Sequence, residues 1–332
     1  MESPHTPQIW LLRLVPQGRF GRWVSALGVF ALMVAWQWSG ALGLPSQTGV
    51  YPWHLGLFFC VIVAYVTPVF HFITQRTEEA LDELTPKLAL DVAQVQRLRQ
   101  GIRRKSWRWV LLNTALGTSL WLIQSFLLLG GSASMLVRLI DSYPSFVRSV
   151  TPLLVWLVMT CALHALVDNA RMFRRLARRA EVDLLNTHEL QPFGRMAVSS
   201  TLMVVGSQAS FSIMWLGAQT DPWTTIPGLI ATTLAMLFLF VAPVWPIHRA
   251  LKLAKSMEYA RVSERIGQQR DSKKEDYAAL APLLAYRREI HATAEWPFDL
   301  NLLTRLGLYL VIVPLTWIGA ALIENLVDVF IA

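Results

Sequence analysis

Seven apolar runs divide this chain, at residues 23–43, 52–73, 107–129, 149–168, 194–216, 223–245 and 303–325, and 28 of its 30 Lys and Arg residues fall in the segments on one side of them. Each run is about 20 residues long, enough at about 1.5 Å per residue to cross a hydrocarbon layer of about 30 Å. Three basic residues precede the first run, eight follow the second, six follow the fourth, ten follow the sixth, and Arg305 stands at the foot of the last. The alternate segments hold only Arg138 and Arg148. Lys and Arg are retained on the cytoplasmic side during insertion. The partition therefore predicts an all-α integral membrane protein with seven transmembrane helices, three hairpins plus one, the N-terminus inside and the C-terminus outside. Residues 1–332 read as a single polytopic membrane domain, with a helical cytoplasmic subdomain formed by segments 75–106, 169–193 and 247–298. A six-span version, with one weak run lying in the interface, would put the C-terminus inside.

Composition agrees: 54% hydrophobic residues, 16% charged residues and a mean hydropathy of +0.41 do not suit a soluble core protein. The first run follows a polar, basic stretch and is as long as the others, as a retained span is and a cleaved signal is not. Trp23, Trp53, Trp107, Trp109, Trp223 and Trp245 fall near predicted span ends, where amphipathic rings favour the headgroup layer. Trp36, Trp38, Trp121, Trp156 and Trp317 lie deeper and are expected between helices. Cys60 and Cys161 both sit inside spans and read as small packing residues, with no disulfide framework and no metal cluster. Topology accounts for nearly all of the net charge of +8. The expected partners are the bilayer and anionic lipid headgroups, with no nucleic acid, and the expected location is a bacterial inner membrane.

The inner segments carry helical patterning. Thr77, followed by Glu78, Glu79, Asp82 and Glu83, has the form of a helix N-terminus with acids in its first turns. Arg97, Arg99, Arg103, Arg104 and Lys105 close that segment. Arg171, Arg174, Arg175, Arg178 and Arg179 recur at three-and-four spacing along a helix continuing from the fourth span, as contacts to lipid phosphate or to an acidic partner. The third inner segment reads as a helical hairpin that breaks between Gly267 and Lys274, with Pro297 turning the chain back beside Trp296 and Phe298. On the outer side, Met135, Leu136, Leu139 and Ile140 suggest a short interfacial helix ended by Tyr143 and Pro144.

Chemistry-bearing residues are sparse. Gly117 and Ser119 in the third span, with His164 in the fourth, could be read as the serine and base of an intramembrane hydrolase, against ordinary small-residue packing. His164 and Asp168, four apart, could face a metal together, but Arg171 and Arg175 offer Asp168 a salt bridge instead. The fifth span carries Ser199, Ser200, Thr201, Ser207, Gln208, Ser210 and Ser212, either hydrogen-bonded between helices or lining a polar path. None of the first six spans centres an Asp, Glu, Lys or Arg, which argues against coupled transport. Along one face of the seventh span, Arg305, Tyr309, Val313, Thr316, Ala320, Glu324 and Asp328 form a polar-to-acidic stripe, and Pro314 offers a hinge. In an oligomer Glu324 and Asp328 would ring the outer mouth and concentrate cations; alternatively both lie in outer water.

This plan resembles the insect-chemoreceptor type of tetrameric cation channel, and in general style the bacterial polytopic inner-membrane proteins. The likeness spans most of the chain as topology. That family's last helix carries Thr-Tyr, five apolar residues and then Gln-Phe; here Leu308 and Tyr309 are followed by Leu315 and Thr316, so the Tyr alone agrees. The resemblance implies a homo-oligomer with the last helix at the pore. Two functions follow as expectations. One is passive ion or small-solute permeation, with Tyr309, Thr316, Glu324 and Asp328 lining the pore. The other is a non-transport scaffold or sensor subunit whose cytoplasmic helices bind a partner. Neither is an enzyme, and neither calls for a cofactor, a metal or a catalytic residue.

Overall fold

The computed structural model describes residues 9–16, 18, 20–41, 53–86, 88, 90–128, 142–180, 182–215, 222–271 and 277–298, and then 301, 302, 304, 306–308, 311, 312, 315, 316, 318, 319 and 322. All regular secondary structure among them is helical. The elements are α1 (Trp10–Arg13), α2 (Gly21–Ala41), α3 (Trp53–Leu84), α4 (Val92–Arg103), α5 (Trp107–Leu128), α6 (Tyr143–Ala177), α7 (Gln191–Ser210), α8 (Pro222–Asp271) and α9 (Tyr277–Ala292). Short 3-10 turns flank α7 at Thr187–Leu190 and Phe211–Trp215.

Five helices are long and apolar enough to cross a membrane: Gly21–Gly40, His54–Leu84, Tyr143–Ala177, Thr187–Ile213 and Thr233–Arg270. They match the first, second, fourth, fifth and sixth apolar runs. The third run forms α5, which exposes Leu111, Leu112, Leu116, Leu122, Ile123 and Phe126. The seventh run is helical at every described position between Asn301 and Leu322. Tyr309, Pro314, Glu324 and Asp328 lie outside the described residues.

The helix α3 forms the centre, packed by α2, α6 and α7, while α8 packs on α6, α7 and α9. In the most apolar stretch of α3, 61% of residues are buried, against 22% in α2, so α2 is peripheral and α3 interior. Close approach explains the α3–α7 seam. The Tyr65 hydroxyl donates to the Leu202 carbonyl at 2.9 Å, and its ring occupies the space a Cβ at Gly206 would need. Gly117 plays the same part between α5 and α6, where an added Cβ would lie 3.0 Å from Thr160 Oγ1 and 3.1 Å from Leu157 Cδ2. Deeper tryptophans bridge helices through their ring N–H groups: Trp36 to Thr151, Trp121 to the Ser149 carbonyl and Trp156 to Gln124. Trp38 does not follow them and is 67% exposed.

At the basic end of the bundle the helices run on past the apolar stretches and bury a second set of side chains, among them Leu81, Leu84, Ile102, Phe173, Leu176 and Phe193. Phe173 and Phe193 meet edge to face at 5.9 Å. Outside lipid, each such burial contributes about 1.5–3 kcal/mol, so this end is a packed subdomain and not a set of loose loops.

Three local expectations change. Thr77 does not start a helix: α3 runs through it, and its Oγ1 donates back to the Ile73 carbonyl at 2.7 Å. A threonine that bonds its own preceding turn carries the same local signal as a cap. Tyr143 and Pro144 open α6, and Met135, Leu136, Leu139 and Ile140 lie outside the described residues. Ser142 is the cap, accepting from Ser145 N at 3.4 Å, and Pro144 sits in the first turn, where its missing N–H costs nothing. Finally, α8 continues unbroken through Gly267 to Asp271.

Candidate functional site: a basic cleft between α4 and α6

At the basic end a cleft of about 580 Å³ opens between α4 and the foot of α6. Two rows at four-residue spacing face it: Arg97 and Gly101, with Lys105 just beyond α4, and Arg171, Arg175 and Arg179. Residues four apart stack on one helix face. Gly101 has nothing within 4 Å of where a Cβ would stand, so the middle of its row is open. Leu90, Leu98, Met172 and Leu176 supply apolar lining.

Among the described residues, five cationic side chains and one carboxylate, that of Asp168, line this space. Asp168 is already engaged. Its Oδ2 accepts from Lys105 Nζ at 3.0 Å and from Trp109 Nε1 at 2.9 Å, and its Oδ1 lies 3.9 Å from Arg171 Nη1. Among the described residues Arg175 and Arg179 have no acidic partner. Their positions at the C-terminal end of α6 place them against the negative end of the helix dipole, which helps hold them there. The cleft therefore keeps a positive field over an apolar lining, an arrangement suited to an anion that carries hydrophobic surface.

Asp168 also connects the cleft to the joint between α5 and α6. His164, one turn earlier, has Nε2 3.7 Å from Asp168 Oδ1 and Nδ1 3.1 Å from Asn113 Oδ1. Asn113 donates to the Trp109 carbonyl at 2.7 Å, and the Trp109 ring stacks on His164 at 5.0 Å. The result is one polar ladder, Lys105–Asp168–His164–Asn113, along the α5–α6 joint.

Of the five arginines singled out in the sequence, Arg171, Arg175 and Arg179 line the cleft, whereas Arg174 and Arg178 are exposed and do not. The ladder occupies His164 and Asp168 with Asn113, Lys105 and Trp109, and among the described residues no cluster of three His, Cys, Asp or Glu could hold a metal. Ser119 is exposed and is not joined to His164, and Gly117 serves helix packing. The α7 hydroxyls mostly bond their own helix: Thr201 to the Ala197 carbonyl, Ser207 to that of Met203 and Ser210 to that of Gly206. Gln208 crosses to Thr233 on α8 at 3.0 Å. Thr316 is half-buried. Sequence reasoning missed Arg97, Lys105, Trp109 and Asn113 as members of a site. The four-residue spacing of Arg97, Gly101 and Lys105 is the signal that could have found the first two.

No known protein family, curated protein or solved structure matches this chain.

Proposed function

We propose that the chain is a seven-span inner-membrane protein whose basic end is cytoplasmic, and that it acts as a non-enzymatic sensor or scaffold subunit binding an anionic group in the α4–α6 cleft. The carrying observation is the surplus of cations there: Arg97, Arg171, Arg175 and Arg179 face a space where the one carboxylate among the described lining residues already accepts from Lys105. A bound anion would compete with Asp168 for Lys105 and Arg171 and so load or unload the ladder to His164 and Asn113. This gives the site a route to the α5–α6 joint. The test is binding of anionic lipid headgroups and phosphorylated soluble ligands to purified protein, in wild type and in Arg175→Gln. Saturable binding weakened by the variant supports the reading; equal binding by both refutes it.

Permeation by a homo-oligomer is the second reading. It is favoured by the last helical stretch, where Leu308, Val311, Leu315, Ile318 and Leu322 are exposed at helical spacing while Thr316 is half-buried. An apolar outer face with a hydroxyl turned inward suits a helix at a pore or at a contact between copies. Planar-bilayer currents with sodium, potassium and chloride gradients test it. Conductance and cation preference unchanged by Glu324→Ala and Asp328→Ala would remove those residues from any pore.

A further inference from the structure

A separate polar pocket of about 330 Å³ lies where the N-terminal segment crosses α3 and the end of α4. Among the described residues its polar lining is Arg22, His71, Thr74, Gln75 and Arg103, with no carboxylate. The N-terminal segment forms its wall. Leu11, Leu12 and Val15 are buried, and Ile9 N donates to the Arg103 carbonyl at 3.0 Å. Gly18 then turns the chain toward α2 at φ +142°, a region that side-chain-bearing residues rarely adopt.

The donors around this space are not used up by the fold. His71 Nδ1 is buried and, among the described residues, has no hydrogen-bond partner, a condition that folded proteins rarely leave unanswered. Arg22 stacks over the Phe72 ring at 5.3 Å and, among the described residues, meets no acid. Arg103 gives Nε and Nη2 to Glu78, which leaves Nη1. Gln75 has no hydrogen bond to a described side chain. Two guanidinium groups against one carboxylate leave a single positive charge, and the remaining donors are neutral. We infer that this pocket binds a singly charged phosphate group, held by Arg22, Arg103, Gln75 and His71. The group is either free dihydrogen phosphate or the phosphodiester of an anionic lipid. A carboxylate would present two acceptor oxygens, whereas the donors come from three directions, α2, α3 and α4, and match a tetrahedral anion.

This site stands apart from the α4–α6 cleft, and its test does not depend on it. Full-length protein in a maltoside detergent, which carries no phosphate, is titrated by calorimetry with inorganic phosphate and, separately, with short-chain phosphatidylglycerol. Hydrogen exchange at Leu11 and Leu12 is followed in parallel. At least one probe should bind and slow that exchange, and which one binds identifies the source of the phosphate. Arg22→Gln and His71→Phe should each weaken binding about tenfold, as loss of one charge-assisted or buried hydrogen bond does. Arg13→Gln, on the same segment but outside the pocket, should not. Gln75→Glu places a carboxylate in the lining without enlarging the side chain and should abolish binding with the fold intact by size exclusion and thermal melt. Failure of both probes to bind folded protein overturns the inference. So does binding that persists in Arg22→Gln and His71→Phe, because the anion would then sit elsewhere.

Discussion

The two flanks of α4 handle charge in opposite ways. Toward the end of α3, four carboxylates meet four arginines: Glu78 with Arg103, Glu79 with Arg76, Asp82 with Arg99 and Glu83 with Arg195. Toward α6, among the described residues, five cations line a space with Asp168, and only Lys105 and Arg171 reach its carboxylate. The first flank is an electrostatic seam that closes on itself, tying α4 and α7 to α3. The second leaves charge without an internal answer, although placing like charges together opposes folding. The neutralised flank serves the structure; the open flank is where we propose that an anion binds.

That contrast can be broken at several points. Arg171→Glu with Arg175→Glu should have the largest effect, weakening anion binding at the cleft about a hundredfold at low salt, taking about tenfold for each charge-assisted contact. The loss should shrink as ionic strength rises, because the site is open to screening. Binding isotherms at two salt concentrations check both statements. Asp168→Ala comes next. It leaves Lys105 and the Trp109 N–H without their acceptor and should cost about 2 kcal/mol of stability, seen as a lowered melting temperature. If the ladder matters, the variant should also change Trp109 fluorescence.

On the closed flank, Arg99→Ala should cost only about 0.5 kcal/mol, because the Arg99 and Asp82 side chains are both about half exposed and water competes for them. A larger loss in chemical denaturation would show that the seam is stiffer than exposed pairs usually are. The smallest effect is expected at Asp183, between the basic foot of α6 and α7. The Asn186 amide and the Leu185 N–H hold its carboxyl below the usual carboxylate range. A depressed native pKa means that this stabilisation is complete at neutral pH and is lost as pH falls through the native value. Asp183→Asn should therefore flatten only the acid limb of a stability–pH curve.

The apolar runs made the helical class legible in the sequence, since length and hydropathy are local properties. The arginines of α6 were legible for the same reason: a spacing of three and four needs no knowledge of neighbours. The cleft itself was not. Arg97 and Lys105 gain their meaning from facing Arg175 and Arg179 across a gap, and nothing local specifies that α4, packed on α3, faces α6 there. The serines of α7 show the reverse limit. They look like a polar path in one dimension, yet in three dimensions Thr201, Ser207 and Ser210 are absorbed by their own backbone. Thr77 was misread because back-bonding and capping draw on the same residue type.

The 50 residues of α8 form one helix from Pro222 to Asp271, about 75 Å long at the usual rise, more than twice the depth of a hydrocarbon layer. Leu239, Val244, Ile247 and Leu251 are clamped in the core near its middle, and Pro243 and Pro246 remove two backbone donors at the same place. Mechanically this is a rod with a fulcrum. A tilt of about 10° about that point would sweep the far tip, where α9 folds back, through about 6 Å. Because the fulcrum lies near the middle, a displacement of one end would reach the other at about the same size and in the opposite direction.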